Sequence, residues 1–268
     1  MSISDRYGDV AALQALRSNA VIDGLFAHRS VRAYLPDPLP EGTIETLVAA
    51  AQSAPTSSNL QVWSVVAVED PDRKAGLAAL AGNQKHILEA PLLLVWLIDF
   101  DRLTQIGAAA ERTPHALDYT ESFLLGAVDT ALAAQNAVVA LEALGLGSVY
   151  IGGIRNRPAE VAELLDLPPR VFPLVGLVVG HPDPARPASV KPRLPQSTVL
   201  YRERYEWSET SHDAVQGYDR TLRAFQEREG MPPLGWRELA LRRTAGPQSM
   251  AGREVLKAVL ENQGFALL

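Results

Sequence analysis

Not one of the 268 residues is cysteine. That absence excludes disulfides, thiolate nucleophiles, thiolate zinc sites and iron–sulfur clusters together. It leaves the redox compartment open, since such a chain is stable in either environment. Cations are in deficit: Lys and Arg number 25 against 31 Asp and Glu, a net charge of −6. A polyanion-binding chain needs the opposite balance, so nucleic acid is not expected as a partner. Long apolar runs are missing too. The most apolar stretch, 91–98, falls far short of the roughly 20 residues that span a bilayer. The first twenty residues carry Asp5 and Asp9 and no continuous apolar run, so no secretory signal is expected. With 47% apolar and 21% charged residues, wholesale disorder is excluded. A soluble, cytoplasmic protein without a membrane partner is the expectation.

Most catalytic signatures are absent as well. Gly145-Leu146-Gly147 opens like a dinucleotide fingerprint, but the third glycine would fall at Tyr150, and the glycines follow a helix instead of a strand. There is no P-loop and no Gly-x-Ser-x-Gly elbow. His28, His86, His115, His181 and His212 are scattered, with no i, i+4 pair, so no metal site is expected.

What is present is a regular alternation of elements. Apolar spacing through Val10, Leu13, Leu16, Ile22, Leu25 and Phe26 predicts a helix over 9–26, with Asp9 as its N-cap. Ile44, Leu47, Val48 and Ala51 predict another over 40–54. Strands are predicted over 62–68, 92–98, 148–151 and 174–179, and further helices over 71–81 and 158–165. The strongest helix, 120–144, is rich in alanine and ends at Gly145, which suits a left-handed stop. Pro182, Pro184, Pro187, Pro192 and Pro195 require an extended segment. Helices over 213–229, 236–244 and 252–263 complete the chain. The pattern is a mixed α and β domain with a helical C-terminal excursion, divided here into a core over 1–200 and an excursion over 201–268.

Three local features carry chemistry. His28-Arg29-Ser30-Val31-Arg32 is either a solvated charge cluster or an anion site. Pro55-Thr56-Ser57-Ser58-Asn59 reads as a turn or a functional loop. Lys191-Pro192-Arg193 holds two cations on one extended segment, as surface charge or as a phosphate grip.

Taken in order with Gly82-Asn83-Gln84-Lys85-His86, Val128-Asp129-Thr130-Ala131, Ala134-Gln135-Asn136-Ala137, Tyr150-Ile151-Gly152-Gly153-Ile154-Arg155-Asn156 and Lys191-Pro192-Arg193-Leu194-Pro195, these features resemble the nitroreductase superfamily. Within it the chain is similar to the oxygen-insensitive major NADPH nitroreductases and NADPH:flavin reductases. The resemblance implies an α+β fold with a mixed central sheet flanked by helices, in a homodimer that holds FMN at its interface. By the same resemblance His28, Arg29, Ser30 and Arg32 line the FMN, with Arg32 toward the pyrimidine edge, and Lys191 and Arg193 hold its phosphate. Gln84 bonds the ring, and Tyr150, Ile151, Gly152 and Gly153 pass beside it. Thr56, Ser57 and Ser58 come from the other subunit. The implied activity is two-electron, ping-pong hydride transfer from NADPH or NADH to nitroaromatics, quinones or related planar acceptors. No acid, base or nucleophile is needed. A flavin reductase serving a monooxygenase and a non-catalytic flavin-binding protein are the alternatives.

The physical reading agrees. In an acidic chain a phosphate near charge −2 needs a local island of cations, and Arg29, Arg32, Lys191 and Arg193 supply four. Adjacent glycines let the main chain approach a flat ring. Two departures stand out. Where relatives carry an arginine-rich loop for the 2′-phosphate of NADPH, the sequence reads Arg228-Glu229-Gly230-Met231-Pro232-Pro233-Leu234-Gly235, and Asn59 replaces a substrate-side aromatic.

Overall fold

The structure is a computed structural model and describes residues 3–7 and 16–268. In chain order the longer elements are α1 (Ile3–Tyr7), α2 (Ala20–Ala27), α3 (Thr43–Gln52), β1 (Trp63–Val68), α4 (Pro71–Leu80), α5 (Lys85–Glu89) and β2 (Leu92–Asp99). They continue as α6 (Asp101–Ala109), α7 (Thr120–Ala143), β3 (Gly147–Ile151), α8 (Pro158–Leu164), β4 (Val171–Gly180), α9 (Glu209–Arg228), α10 (Gly235–Arg243) and α11 (Leu256–Asn262). They form two compact units, 30–188 with 251–268, and 1–29 with 189–250. The boundary read at residue 200 falls inside the second of these.

The larger unit is built on a four-stranded sheet of order β1-β2-β4-β3. Every neighbouring pair is antiparallel, with Trp63 opposite Ile98, Leu92 opposite Val179 and Gly147 opposite Gly180. The mixed sheet implied by resemblance is therefore corrected to an antiparallel one. β2 and β3 do run the same way, but β4 lies between them, so like-directed strands never share a ladder. The single parallel pairing among the described residues, Ser30 with Ser148, is an isolated bridge outside the named strands.

All eight residues of β2 are buried, because helices cover both faces. Leu93, Val95 and Leu97 point into one core with Leu77, Ile87 and Val161, while Leu92, Leu94 and Trp96 point into the other with Leu47, Ala133 and Leu141. The period of two thus feeds two cores from one strand. At the end of β2, Ile98 and Phe100 join Phe172, Leu260 and Phe265 in a third cluster. There the C-terminal segment is tied in by Arg170 N–H to Gln263 O (2.7 Å) and Thr120 N–H to Leu268 O (3.1 Å).

β4 begins at Val171, earlier than the sequence pattern indicates, because Pro173 reads as a strand breaker. Pro173 pairs with Leu97, and the register shifts between Trp96 and Leu97. That bulge absorbs the missing N–H. α7 ends as read: Gly145 has φ +76°, Gly145 N–H bonds Glu142 O (3.0 Å) and Leu146 N–H bonds Leu141 O (2.9 Å), the paired bonds of a Schellman stop. A Cβ on Gly126 would lie 2.7 Å from Ile98 Cγ2, so this glycine inside a long helix makes room for the end of β2. α7 is also long and apolar enough to cross a membrane, yet its Ala133, Ala134, Ala137 and Leu141 face is buried in the core.

In the smaller unit α2 starts at Ala20, where Asn19 caps it by accepting Ile22 N–H (3.0 Å). Residues 16–19 are not helical. The expected start at Asp9, with Val10 and Leu13, lies outside the described residues. α9 and α10 pack through Tyr218, Leu222 and Phe225 against Trp236 and Leu194. Asp219 accepts Arg237 N–H (2.8 Å) and Gln226 accepts Gly235 N–H (2.9 Å), which fixes the turn between them.

Candidate functional site

His28, Arg29, Lys191 and Arg193 belong to the smaller unit. Lys191-Pro192-Arg193 is extended, so residues two apart share a side. Lys191 and Arg193 are exposed, and Pro192 between them is buried. Tyr218 donates its hydroxyl to Pro192 O (3.1 Å). Burial pushes the Tyr218 phenol up against the opposing charge of Arg193, which keeps it a donor.

The residue that assembles this part is Arg6, only 6% exposed. Its guanidinium donates to Lys191 O (3.1 Å), Phe26 O (2.9 Å) and His28 O (2.6 Å), while its own carbonyl accepts Arg193 N–H (2.8 Å). Two cationic segments far apart in sequence are thereby joined. Sequence reasoning missed Arg6, since a lone arginine near a chain start has no pattern to announce it. The loop after α9 is anchored differently: Glu229 accepts from Ser189 Oγ (2.7 Å) and lies 3.4 Å from Arg228 Nε.

The remaining candidates lie in the larger unit. Val31 N–H bonds Ser148 O (2.9 Å). Val31 and Ala33 turn inward, leaving Ser30 and Arg32 exposed. His86 is half-buried with its Nε2 unpartnered among the described residues. Burial, then the charge of Arg32, holds its imidazole below the usual range and so neutral at pH 7, against a smaller pull from Glu89.

The loop holding Thr56, Ser57 and Ser58 is strained. Ser58, Asn59 and Gln61 have φ of 50°, 54° and 52°, the left-handed region that costs side-chain-bearing residues roughly 1 kcal/mol or more each. It is held by Asp129 of α7, whose Oδ1 accepts Ser57 N–H (3.1 Å). Asp129 is 2% exposed, its Oδ2 has no partner among the described residues, and burial raises its carboxyl pKa despite the Ser57 bond. It stood in a motif of the sequence without a role.

At the end of β3, Tyr150 is largely covered, with 38% of its surface exposed, and Ile151 is buried. Burial and Glu142 push the Tyr150 phenol up, so it is un-ionised at neutral pH. Gln84 donates to Ala81 O (2.8 Å). A Cβ on Gly153 would lie 2.4 Å from that same carbonyl and 2.8 Å from Gln84 Nε2, so the bare backbone at 153 serves packing against Ala81 and Gln84. Gly152 is different: a Cβ there would meet only guanidinium nitrogens of Arg155 and Arg253, at 3.6 to 4.0 Å. Arg253 donates to Asn156 Oδ1 (2.9 Å) and Arg155 to Leu174 O. Two cations thus flank the Gly152 backbone, and Arg253, a hundred residues further on, had no sequence signal.

Comparison with known proteins follows the same lines. The model described as "Nitroreductase family" matches residues 25–181, and "Nitroreductase family, C-terminal domain" matches 191–268. The chain is 41% identical over 207 residues to the NADPH-flavin oxidoreductase of Vibrio harveyi, covering 77% of this chain and 82% of that one. It is 37% identical over 252 residues to the FMN reductase [NAD(P)H] of Bacillus subtilis, covering 92% and 98%. Among solved structures, the NADPH:FMN oxidoreductase from Vibrio harveyi complexed with NAD+ superposes with a TM-score of 0.82 at 36% identity, covering 92% of this chain and 99% of that one.

Proposed function

The chain belongs to the nitroreductase family, and from that premise we propose that it is an FMN-dependent NAD(P)H oxidoreductase reducing nitroaromatics, quinones or related planar acceptors. The observation that carries this reading is the likeness to an FMN reductase over 98% of that protein's length and 92% of this chain.

The donor set fits FMN. Arg29, Arg32, Lys191 and Arg193, with the Ser30 hydroxyl, suit a phosphate dianion, and no segment of the sequence reads as an adenosine site. His28, Arg29, Lys191 and Arg193 hold the phosphate end on the framework that Arg6 sets. Arg32 favours the reduced, anionic pyrimidine edge. Gln84, Tyr150, Ile151, Gly152 and Gly153 line the ring, with the Gly152 backbone open toward it. When bound, FMN supplies the two-electron hydride chemistry. The protein contributes orientation, charge and exclusion of water, which is why no side-chain acid, base or nucleophile enters the account.

Thr56, Ser57 and Ser58 reach the flavin of the opposite subunit in a homodimer. Support for the dimer comes from α7, where Leu124, Val128 and Leu132, spaced four apart, are 56%, 56% and 40% exposed. Such a stripe on a core helix calls for a covering partner. The work is done in the cytoplasm, where NAD(P)H is made.

Reduction of free flavin is the second reading, favoured because the relatives named above are called flavin or FMN reductases. Steady-state turnover of free FMN, measured beside nitrofurazone and menadione with one donor, separates the two. Faster kcat/KM for free FMN assigns flavin reduction. Faster kcat/KM for the nitro or quinone acceptor assigns those substrates, and inactivity with all three overturns both.

A further inference from the structure

Within the smaller unit, between Pro195 and the first turn of α9, lies a cavity of about 380 Å³ whose wall includes Arg202, Arg204, Ser197 and Glu206. Arg204 N–H bonds Arg202 O at 2.7 Å across Glu203, which has φ +64°. This is a γ-turn of the rare, strained, positive-φ kind, and it folds two arginine positions against one wall. Neither guanidinium makes a hydrogen bond or ion pair with another described residue, whereas the guanidinium groups of Arg186, Arg223, Arg228 and Arg242 nearby in sequence all pair with carboxylates. Carboxylates are not scarce, since they outnumber cations 31 to 25. Glu206 stands in the same wall and pairs with neither arginine. The Ser197 hydroxyl is likewise uncommitted among the described residues.

We propose that Arg202 and Arg204 bind the phosphate group of a small ligand in this cavity. Each guanidinium offers a fork of N–H donors that matches two phosphate oxygens, and the Ser197 hydroxyl adds a donor to a third. The γ-turn fixes the backbone positions from which the two side chains start. With Glu206 the wall carries one net positive charge, so affinity is modest and falls as salt rises. The phosphate belongs either to free inorganic anion or to a nucleotide.

The test is calorimetry on protein saturated with FMN, which keeps Lys191 and Arg193 from reporting. The probes are inorganic phosphate, 5′-AMP and 2′,5′-ADP, used against the wild type, Arg202→Gln, Arg204→Gln and the double variant, with Arg220→Gln as a charge-matched control. Binding on the order of 1 mM or tighter is expected for the wild type and the control, weakened about fivefold or more by each single change and lost in the double. Tighter binding of either nucleotide than of inorganic phosphate assigns the pocket to a nucleotide phosphate; equal binding assigns it to the free anion. A wild type that binds none of the three, or single variants that bind as well as the control, overturns the proposal. The single variants decide it even if the double does not fold.

Discussion

Lys191 and Arg193 lie on one extended strip whose backbone is pinned three ways, by Arg6 to Lys191 O, by Tyr218 to Pro192 O and by Arg193 N–H to Arg6 O. The Arg193 guanidinium folds back to donate to Lys191 O (3.1 Å) and Pro192 O (3.3 Å). Preorganised cations of this kind hold an anion without losing much freedom on binding. Replacing both by alanine removes two charge-assisted interactions, each worth about 1.5–3 kcal/mol. FMN retention is expected to fall on the order of a hundredfold or more, with little change in hydride-transfer rate once the variant is saturated with FMN. Dialysis followed by flavin fluorescence reads this, and a variant that keeps its flavin shows the pair to be mere surface charge. Asp129 is a second residue with a defined cost. Buried and raised in pKa, its carboxylate destabilises the fold wherever it must ionise. The sign is that of an acid whose folded pKa lies above its unfolded one: the penalty is absent below the usual carboxylate range and grows as pH rises through it. Asp129→Asn keeps an acceptor for Ser57 N–H, so it should raise the melting temperature at pH 7 and match the wild type near pH 3. Asp129→Ala orphans that N–H and should cost about 1–3 kcal/mol near pH 3, and less at pH 7, where it also removes the ionisation penalty. Thermal unfolding at the two pH values checks both. Of these residues, the cations were legible because like charges crowd two short segments, one of them marked by a proline. Arg6 and Asp129 were not, because their work lies in long-range contacts with backbone atoms that no spacing reveals.

At the level of elements, the sequence specified the helices and strands that bury regular stripes. β2 and α7 were readable almost to the residue, the first from an unbroken apolar run and the second from its length and its glycine stop. The errors have physical causes. Pro173 hid the start of β4 because the bulge that accommodates it, at Leu174 of the same strand, shows only once β4 is paired with β2. The mixed sheet came from the resemblance, and the apolar pattern could not arbitrate, because antiparallel neighbours buried on both faces have the same continuous apolar pattern as parallel ones. α6 went unread since none of its residues is buried. The segment after α9 bears on donor choice. Discrimination for NADPH needs cations at its extra phosphate, each worth about 1–3 kcal/mol. The stretch 229–235 has none, and Glu229 is fixed there by Ser189 and Arg228. A preference for NADPH over NADH below roughly tenfold in kcat/KM, under about 1.4 kcal/mol, is the expected result. Initial rates with both donors under identical conditions measure it, and a hundredfold bias toward NADPH contradicts the role given to this loop.

For the whole molecule, the proposed homodimer follows from an apolar stripe on α7 that the monomer leaves in water. An obligate interface of more than roughly 2,000 Å² does not dissociate at micromolar concentration. Light scattering should therefore give a mass twice the 29.0 kDa of the chain, and a monomer that still carries flavin would exclude a site shared between subunits. The central claim is that this chain passes reducing equivalents from NAD(P)H through bound FMN. The most direct measurement is the visible spectrum of the purified protein, recorded anaerobically before and after one equivalent of NADPH or NADH, with the flavin released by heat identified by mass. A yellow protein that bleaches with at least one donor and releases FMN is the predicted result. A protein that releases FAD, stays yellow with both donors, or is colourless and cannot be reconstituted with FMN contradicts the account.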